Sequence, residues 1–289
     1  MWKESYRLGV EHIDKQHMEL FRMTDELLNA LETGTGGKTD TFRDTIAFLK
    51  DYTVKHFRAE EEYQASIHYS GLEEHKKEHR KFVKTVLDYE KKLEAENYSV
   101  STLKDLAGTL TAWLIFHVAD EDQRYAGHSR EVHKNAEKED SYASIFADSA
   151  FEVMETMAGV KKETITPVEG QLSETESGEN VVISIGLTGE EEKQIRFCFS
   201  KKLALNLILA MTSMELAEVD EVVESALSEI TNIACGNASI LLSEKGISCD
   251  ITTPSISSED AAKLPHAQRM QVDTDAGEME VLVDEISRK

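Results

Sequence analysis

Cysteine is scarce in this 289-residue chain. Cys198, Cys235 and Cys249 are the whole complement, all in the second half and with no metal-binding spacing between them. This excludes a disulfide scaffold, a thiolate zinc site or an iron–sulfur cluster as the basis of the fold. They are expected to be buried thiols in a reducing compartment. Long apolar runs are also missing, and none approaches the roughly 20 residues of a membrane span. The opening Met1-Trp2-Lys3-Glu4-Ser5 lacks a signal peptide's apolar stretch, so a cytoplasmic protein is expected. Positive charge is sparse: 32 Lys+Arg stand against 55 Asp+Glu, a net charge of -23. The imbalance is uneven. Residues 1–138 hold 21 basic and 26 acidic side chains, or -5, whereas residues 139–289 hold 11 and 29, or -18. Neither nucleic acid nor a membrane surface is expected as a partner.

What is present divides in two. The length suggests two domains, each able to bury its own core. Residues 11–33 read as a helix, because Ile13, Leu20, Leu27, Leu28 and Leu31 recur at helical spacing. Gly34-Thr35-Gly36-Gly37 ends it. Helices are also expected over about 41–66, 72–96 and 101–125. Four helices of similar length on short loops predict an up-down four-helix bundle over residues 1–130. The charged stretch 131–140, without Pro or Gly, is expected to be a linker.

Residues 141–289 have the texture of an α+β domain. A helix is expected near 142–158, with strands near 163–168, 181–187 and 194–199. Helices near 201–212 and 219–244 follow. Strands near 248–253, 270–274 and 279–283 complete the set, the last two joined through Asp275-Ala276-Gly277.

The chemistry of the first half lies in its histidines. Nine of the ten fall within residues 1–133. His75 and His79 are four apart on a helix and so share a face; His56 and Glu60 repeat that spacing on the preceding helix. His17 belongs to the first helix, and His117 with Asp122 to the fourth. All four helices thus send candidate ligands inward, and imidazole plus carboxylate suits iron. His117 and Asp122 stand about 140° apart on a regular helix. Convergence on one metal therefore predicts a π-type bulge near 119–121. His12, His68, His128, His133 and His266 are read as ordinary surface or core residues.

The runs His12-Ile13-Asp14-Lys15-Gln16-His17, His56-Phe57-Arg58-Ala59-Glu60-Glu61, His75-Lys76-Lys77-Glu78-His79 and Trp113-Leu114-Ile115-Phe116-His117…Asp122…Tyr125 resemble bacterial hemerythrin over roughly residues 1–130. The resemblance implies two iron ions joined by an oxo or hydroxo bridge, with O2 as a reversible ligand. It implies that His75, His79 and His117 hold one iron, His17 and His56 the other, and that Glu60 and Asp122 bridge both. One iron is then six-coordinate and the other five-coordinate, which leaves a position for O2. Trp113, Ile115 and Phe57 are expected to keep water out. Gln64 stands where that family usually has Met, and Ser70 where it often has Pro.

In the second half, Glu229-Ile230-Thr231-Asn232 puts a carboxylate and an amide on one helix face, with Ser225 one turn earlier. Taken alone, this is an exposed polar face. With Pro254 following, Ser225…Glu229…Asn232 resembles the CheX/CheC/FliY chemotaxis phosphatases, and the arrangement of elements over 140–289 is similar to CheX. Pro254 sits one residue nearer to Asn232 than that family's usual pattern. The resemblance implies removal of phosphate from a phosphorylated CheY-like response regulator, with Glu229 and Asn232 as catalytic residues, and a homodimer through this domain. Three readings remain. One is an O2- or redox-responsive regulator of chemotaxis signalling. Another is an O2 or iron carrier whose CheX-like half only docks or dimerises. A di-iron enzyme acting on peroxide or nitric oxide is a third, without an acid–base group to point to it.

Overall fold

The computed structural model describes residues 1–34, 39–127, 141–168, 180–190, 192–257 and 268–285. The chain separates into two compact units, Met1–Val132 and His133–Lys289. The expected linker 131–140, together with His128, His133 and His266, lies outside the described residues.

The first unit is a four-helix bundle of α1 (Glu11–Thr33), α2 (Thr39–Ser66), α3 (Leu72–Ala95) and α4 (Val100–Phe116). Consecutive helices pack against each other, and α1 against α4 closes the ring. The entry to α1 is set by Asp14, whose buried carboxylate accepts from the amides of Leu8 (2.8 Å) and Gly9 (3.2 Å). Gly34 ends α1 with φ of 62°, a conformation that suits a residue without Cβ. Ser99 caps α4, its hydroxyl accepting from the Thr102 amide. The α-helix then gives way to a π turn at His117–Glu121, followed by α5 (Asp122–Tyr125). The bulge that convergence required is therefore present. A short 3-10 turn, Glu4–Tyr6, precedes the bundle and was not expected.

In the second unit α6 (Tyr142–Ala158), α7 (Lys201–Thr212) and α8 (Glu221–Glu244) pack on a seven-stranded antiparallel sheet. The strands are β1 (Lys162–Pro167), β2 (Asn180–Gly189), β3 (Lys193–Ser200), β4 (Cys249–Ile251), β5 (Ser255–Ser257), β6 (Gln268–Thr274) and β7 (Gly277–Glu285). Their order is β1-β6-β7-β3-β2-β4, with β5 also paired to β2. Ile183, Ile185, Ile195, Phe197, Phe199, Val281 and Leu282 are fully buried. Each such side chain stabilises by about 1.5–3 kcal/mol on leaving water. The strand expected near 248–253 is β4, shorter than expected, and a further short strand not expected from the sequence, β5, follows Pro254, which cannot donate to the ladder. The β6–β7 turn is Asp275-Ala276, and Gly277 opens β7 opposite Thr274. At φ of 145°, a Cβ on Gly277 would lie 2.7 Å from the Leu203 backbone nitrogen, so only glycine fits.

Candidate metal centre and a second polar site

The seven side chains singled out in the first unit are brought together. His17, His56, Glu60, His75, His79, His117 and Asp122 are all buried. Their donor atoms form two groups that share one carboxylate: Glu60 with His75, His79 and His117, and Glu60 with His17 and His56. Asp122 spans the two sides. Its Oδ1 lies 3.3 Å from His117 Nε2 and 3.5 Å from His75 Nε2, and its Oδ2 lies 3.2 Å from His17 Nε2. Glu60 Oε2 is 3.3 Å from His79 Nε2, 3.5 Å from His75 Nε2 and 3.7 Å from both His56 Nε2 and His117 Nε2. The π turn is what allows Asp122 to face the same interior as His117.

This donor set fits a pair of cations. The Nε2 atoms of His17, His56 and His75, Glu60 Oε2 and both Asp122 oxygens are buried without a hydrogen-bond partner. Buried polar atoms without partners are costly, and so many converging on one point suit metal ligands. Donor atoms about 2.1 Å from a common ion stand about 3 Å apart at right angles, close to the separations found. The electrostatics divide the histidines: despite its burial, His117 is raised above its usual range by Asp122, Glu121 and Glu60, a charge that a bound cation would replace. Burial pushes the His56 and His79 imidazoles below their usual range, toward the neutral form that ligates metal. Burial, and then the nearby Glu60 charge, pushes the Asp122 carboxyl up. A dication between the two carboxylates would relieve that repulsion.

Outer partners orient the imidazoles. His79 Nδ1 pairs with Glu61 Oε1 at 2.9 Å, His117 Nδ1 with Glu121 Oε2 at 2.7 Å, and His56 Nδ1 with Gln16 Oε1 at 3.2 Å. The Tyr125 hydroxyl donates to Glu60 Oε1. Burial, with Asp122 and Glu60 close by, pushes its pKa far up and keeps it a donor. Sequence reading gave none of these four residues a role. The available signals were Glu121 one helical turn after His117, and Glu61 and Gln16 beside ligand positions.

Aromatic rings pack the imidazoles. Phe57 stacks on His79 with centroids 3.7 Å apart, and Trp113 on His117 at 4.3 Å. A cavity of about 20 Å³ touches His56 and His117 and is walled by Leu20, Leu49, Phe82 and Leu114, among others. Phe57 and Trp113 line it as expected, whereas Ile115 is buried but is not part of the wall. Gln64 is buried with its side-chain amide unpaired, and Ser70 is exposed.

In the second unit, Glu229 and Asn232 lie side by side on α8. Asn232 Nδ2 donates to Glu229 Oε2 at 3.5 Å, and both residues are half-buried. Ser225 is buried. Further along the outward face, Gly236 has open space above it and Ile240 is 62% exposed. Pro254 is half-buried between β4 and β5.

A buried cluster of five histidines and two carboxylates inside a four-helix bundle defines a metal-binding helical protein. Residues 8–128 match the family described as the hemerythrin HHE cation binding domain. The bacteriohemerythrin of Clostridium acetobutylicum is 32% identical over 126 residues, 43% of this chain and 97% of that protein. A hemerythrin-like protein of Naegleria gruberi is 29% identical over 126 residues, 44% of this chain and 90% of that protein. The chain belongs to the hemerythrin family, and residues 181–274 match the family described as chemotaxis phosphatase CheX. It is therefore a fusion of the two domain types. Solved structures similar to part of the chain include a CheC-like protein from Shewanella sp. PV-4, with 25% identity, TM-score 0.42, and coverage of 50% of this chain and 97% of that one. Another is CheX from Vibrio vulnificus, with 23% identity, TM-score 0.40, and coverage of 50% and 99%. No described helix is long and apolar enough to cross a membrane.

Proposed function

We propose that the chain is an O2- or redox-responsive di-iron regulator whose CheX-type half dephosphorylates a CheY-like response regulator. The observation that carries it is the cluster of unpaired buried donor atoms, split by Glu60 and Asp122 into a three-histidine and a two-histidine side. His75, His79 and His117 would hold one ion, His17 and His56 the other, with Glu60 and Asp122 shared between them. Bound iron would supply reversible O2 binding and one-electron redox chemistry. The chain's own residues do the rest. Phe57, Phe82, Trp113 and Leu114 exclude water beside His56 and His117. Glu61, Glu121 and Gln16 hold three imidazoles in orientation.

In the CheX-type half, phosphoryl transfer to water needs mainly a positioned nucleophile. Asn232 orients that water through its amide, and Glu229 meets a cationic group beside the partner's active site and fixes the docking. Their contact on α8 pre-positions the pair. The magnesium belongs to the phosphorylated partner. The excess acidity of residues 139–289 disfavours a phosphorylated partner at long range, which makes the local ion pair at Glu229 the anchor. This half also pairs two copies of the chain.

The test is dephosphorylation of a phosphorylated receiver by the iron-loaded chain, reduced under argon and then in air. Different rates are expected. Equal rates remove the sensing step and leave two independent activities. Glu229→Ala with Asn232→Ala is expected to abolish the reaction in both states. An unchanged rate removes the phosphatase and leaves a carrier with a docking module.

A further inference from the structure

The partners of the histidines are not symmetric. On the three-histidine side, His79 and His117 each meet a carboxylate, Glu61 at 2.9 Å and Glu121 at 2.7 Å. On the two-histidine side, His56 meets the neutral amide of Gln16 at 3.2 Å, and His17 Nδ1 has no hydrogen-bond partner. Two formal negative charges thus sit one imidazole away from one end of the centre, and none sits in that position at the other. Both carboxylates are shielded from solvent, with side-chain exposures of 29% for Glu61 and 19% for Glu121, so screening reduces their influence without erasing it. A carboxylate that accepts the Nδ1 proton draws it away from the ring and makes Nε2 a stronger donor. A stronger donor favours the more highly charged metal.

We propose that Glu61 and Glu121 are positioning residues that set the redox poise of the centre, acting through His79 and His117 to hold bound iron toward its oxidised state. The inference rests on the di-iron reading above. On oxidation each bound iron would give one electron to a soluble one-electron mediator, while the Nδ1 proton stays between imidazole and carboxylate.

The test is a spectroelectrochemical titration of the iron-loaded full-length chain with soluble one-electron mediators. Glu61→Gln and Glu121→Gln keep a hydrogen-bond acceptor under each histidine and remove only charge. Each is expected to change the ratio of oxidised to reduced iron at fixed potential about tenfold, a rise of about 59 mV for a one-electron step. Iron content should be retained, and the double variant should move further than either single one. Gln16→Glu, which adds a carboxylate under His56, is expected to shift the potential the opposite way. Midpoints that move less than threefold in ratio, or that fall in the glutamine variants, overturn the proposal. If the glutamine variants hold no iron, Gln16→Glu decides: a lower potential supports the proposal, and an unchanged or raised one overturns it. Loss of iron from all three overturns it as well, because the carboxylates would then serve retention. A wild-type chain that takes up no iron overturns the di-iron reading itself, an outcome distinct from unmoved potentials in loaded variants.

Discussion

At the residue scale, Asp122 and Gly277 are the positions where one change has the clearest consequence. Asp122 offers one oxygen to each side of the cluster. Asp122→Ala is expected to lower the iron bound per chain in metal analysis, while the helical circular dichroism stays in place. Undiminished iron would remove Asp122 from the ligand set. Gly277→Ala forces a methyl against the Leu203 backbone, at a φ that other residues rarely adopt. It is expected to cost about 1–3 kcal/mol, read as a lower Tm of the second unit with iron content untouched. Helical spacing puts His75 with His79 and His56 with Glu60 on common faces, whereas His17, His117 and Asp122 were legible through the family resemblance of the runs that hold them. Glu61, Glu121, Gln16 and Tyr125 were not. Their importance comes from which Nδ1 or carboxylate oxygen they reach, and spacing along the chain does not say where a side chain ends.

At the element scale, the π turn between α4 and α5 is the informative feature. It was legible because a five-residue separation cannot place His117 and Asp122 on one face of a regular helix. The turn absorbs one extra residue. Deleting Ala119 leaves the two at a four-residue separation, about 40° apart on a regular helix, and iron binding is expected to survive. Inserting one alanine after Ala119 swings Asp122 by about 100°, and iron is expected to be lost. Iron retained after the insertion would show that Asp122 is dispensable. The β5 strand escaped the sequence reading because Ser255-Ile256-Ser257 is short, follows a proline and has no alternating apolar pattern. Of the residues expected to keep water out, Phe57 and Trp113 line the cavity, and Ile115 is fully buried away from its wall. Leu114 rather than Ile115 faces it, because one step of 100° separates the sides of α4.

On the scale of the whole molecule, the chain forms two compact units divided at Val132/His133, and the sequence changes charge and periodicity near residue 140. Reducing the protein and removing its iron with a chelator should therefore lower the thermal transition of the bundle. Metal bound only to the folded form stabilises that form by mass action. The transition of the CheX-type unit should stay where it was. Both transitions falling together would mean that the two halves melt as one.

The ring of Trp113 lies face to face with that of His117, 4.3 Å between centroids. The chain's other indole, Trp2, precedes the bundle and packs edge-on against Phe21 of α1. The molecule thus has a built-in fluorescent gauge. Metal uptake should dim the ultraviolet-excited indole emission of the bundle, while the CheX-type half, which has no tryptophan, contributes no indole signal.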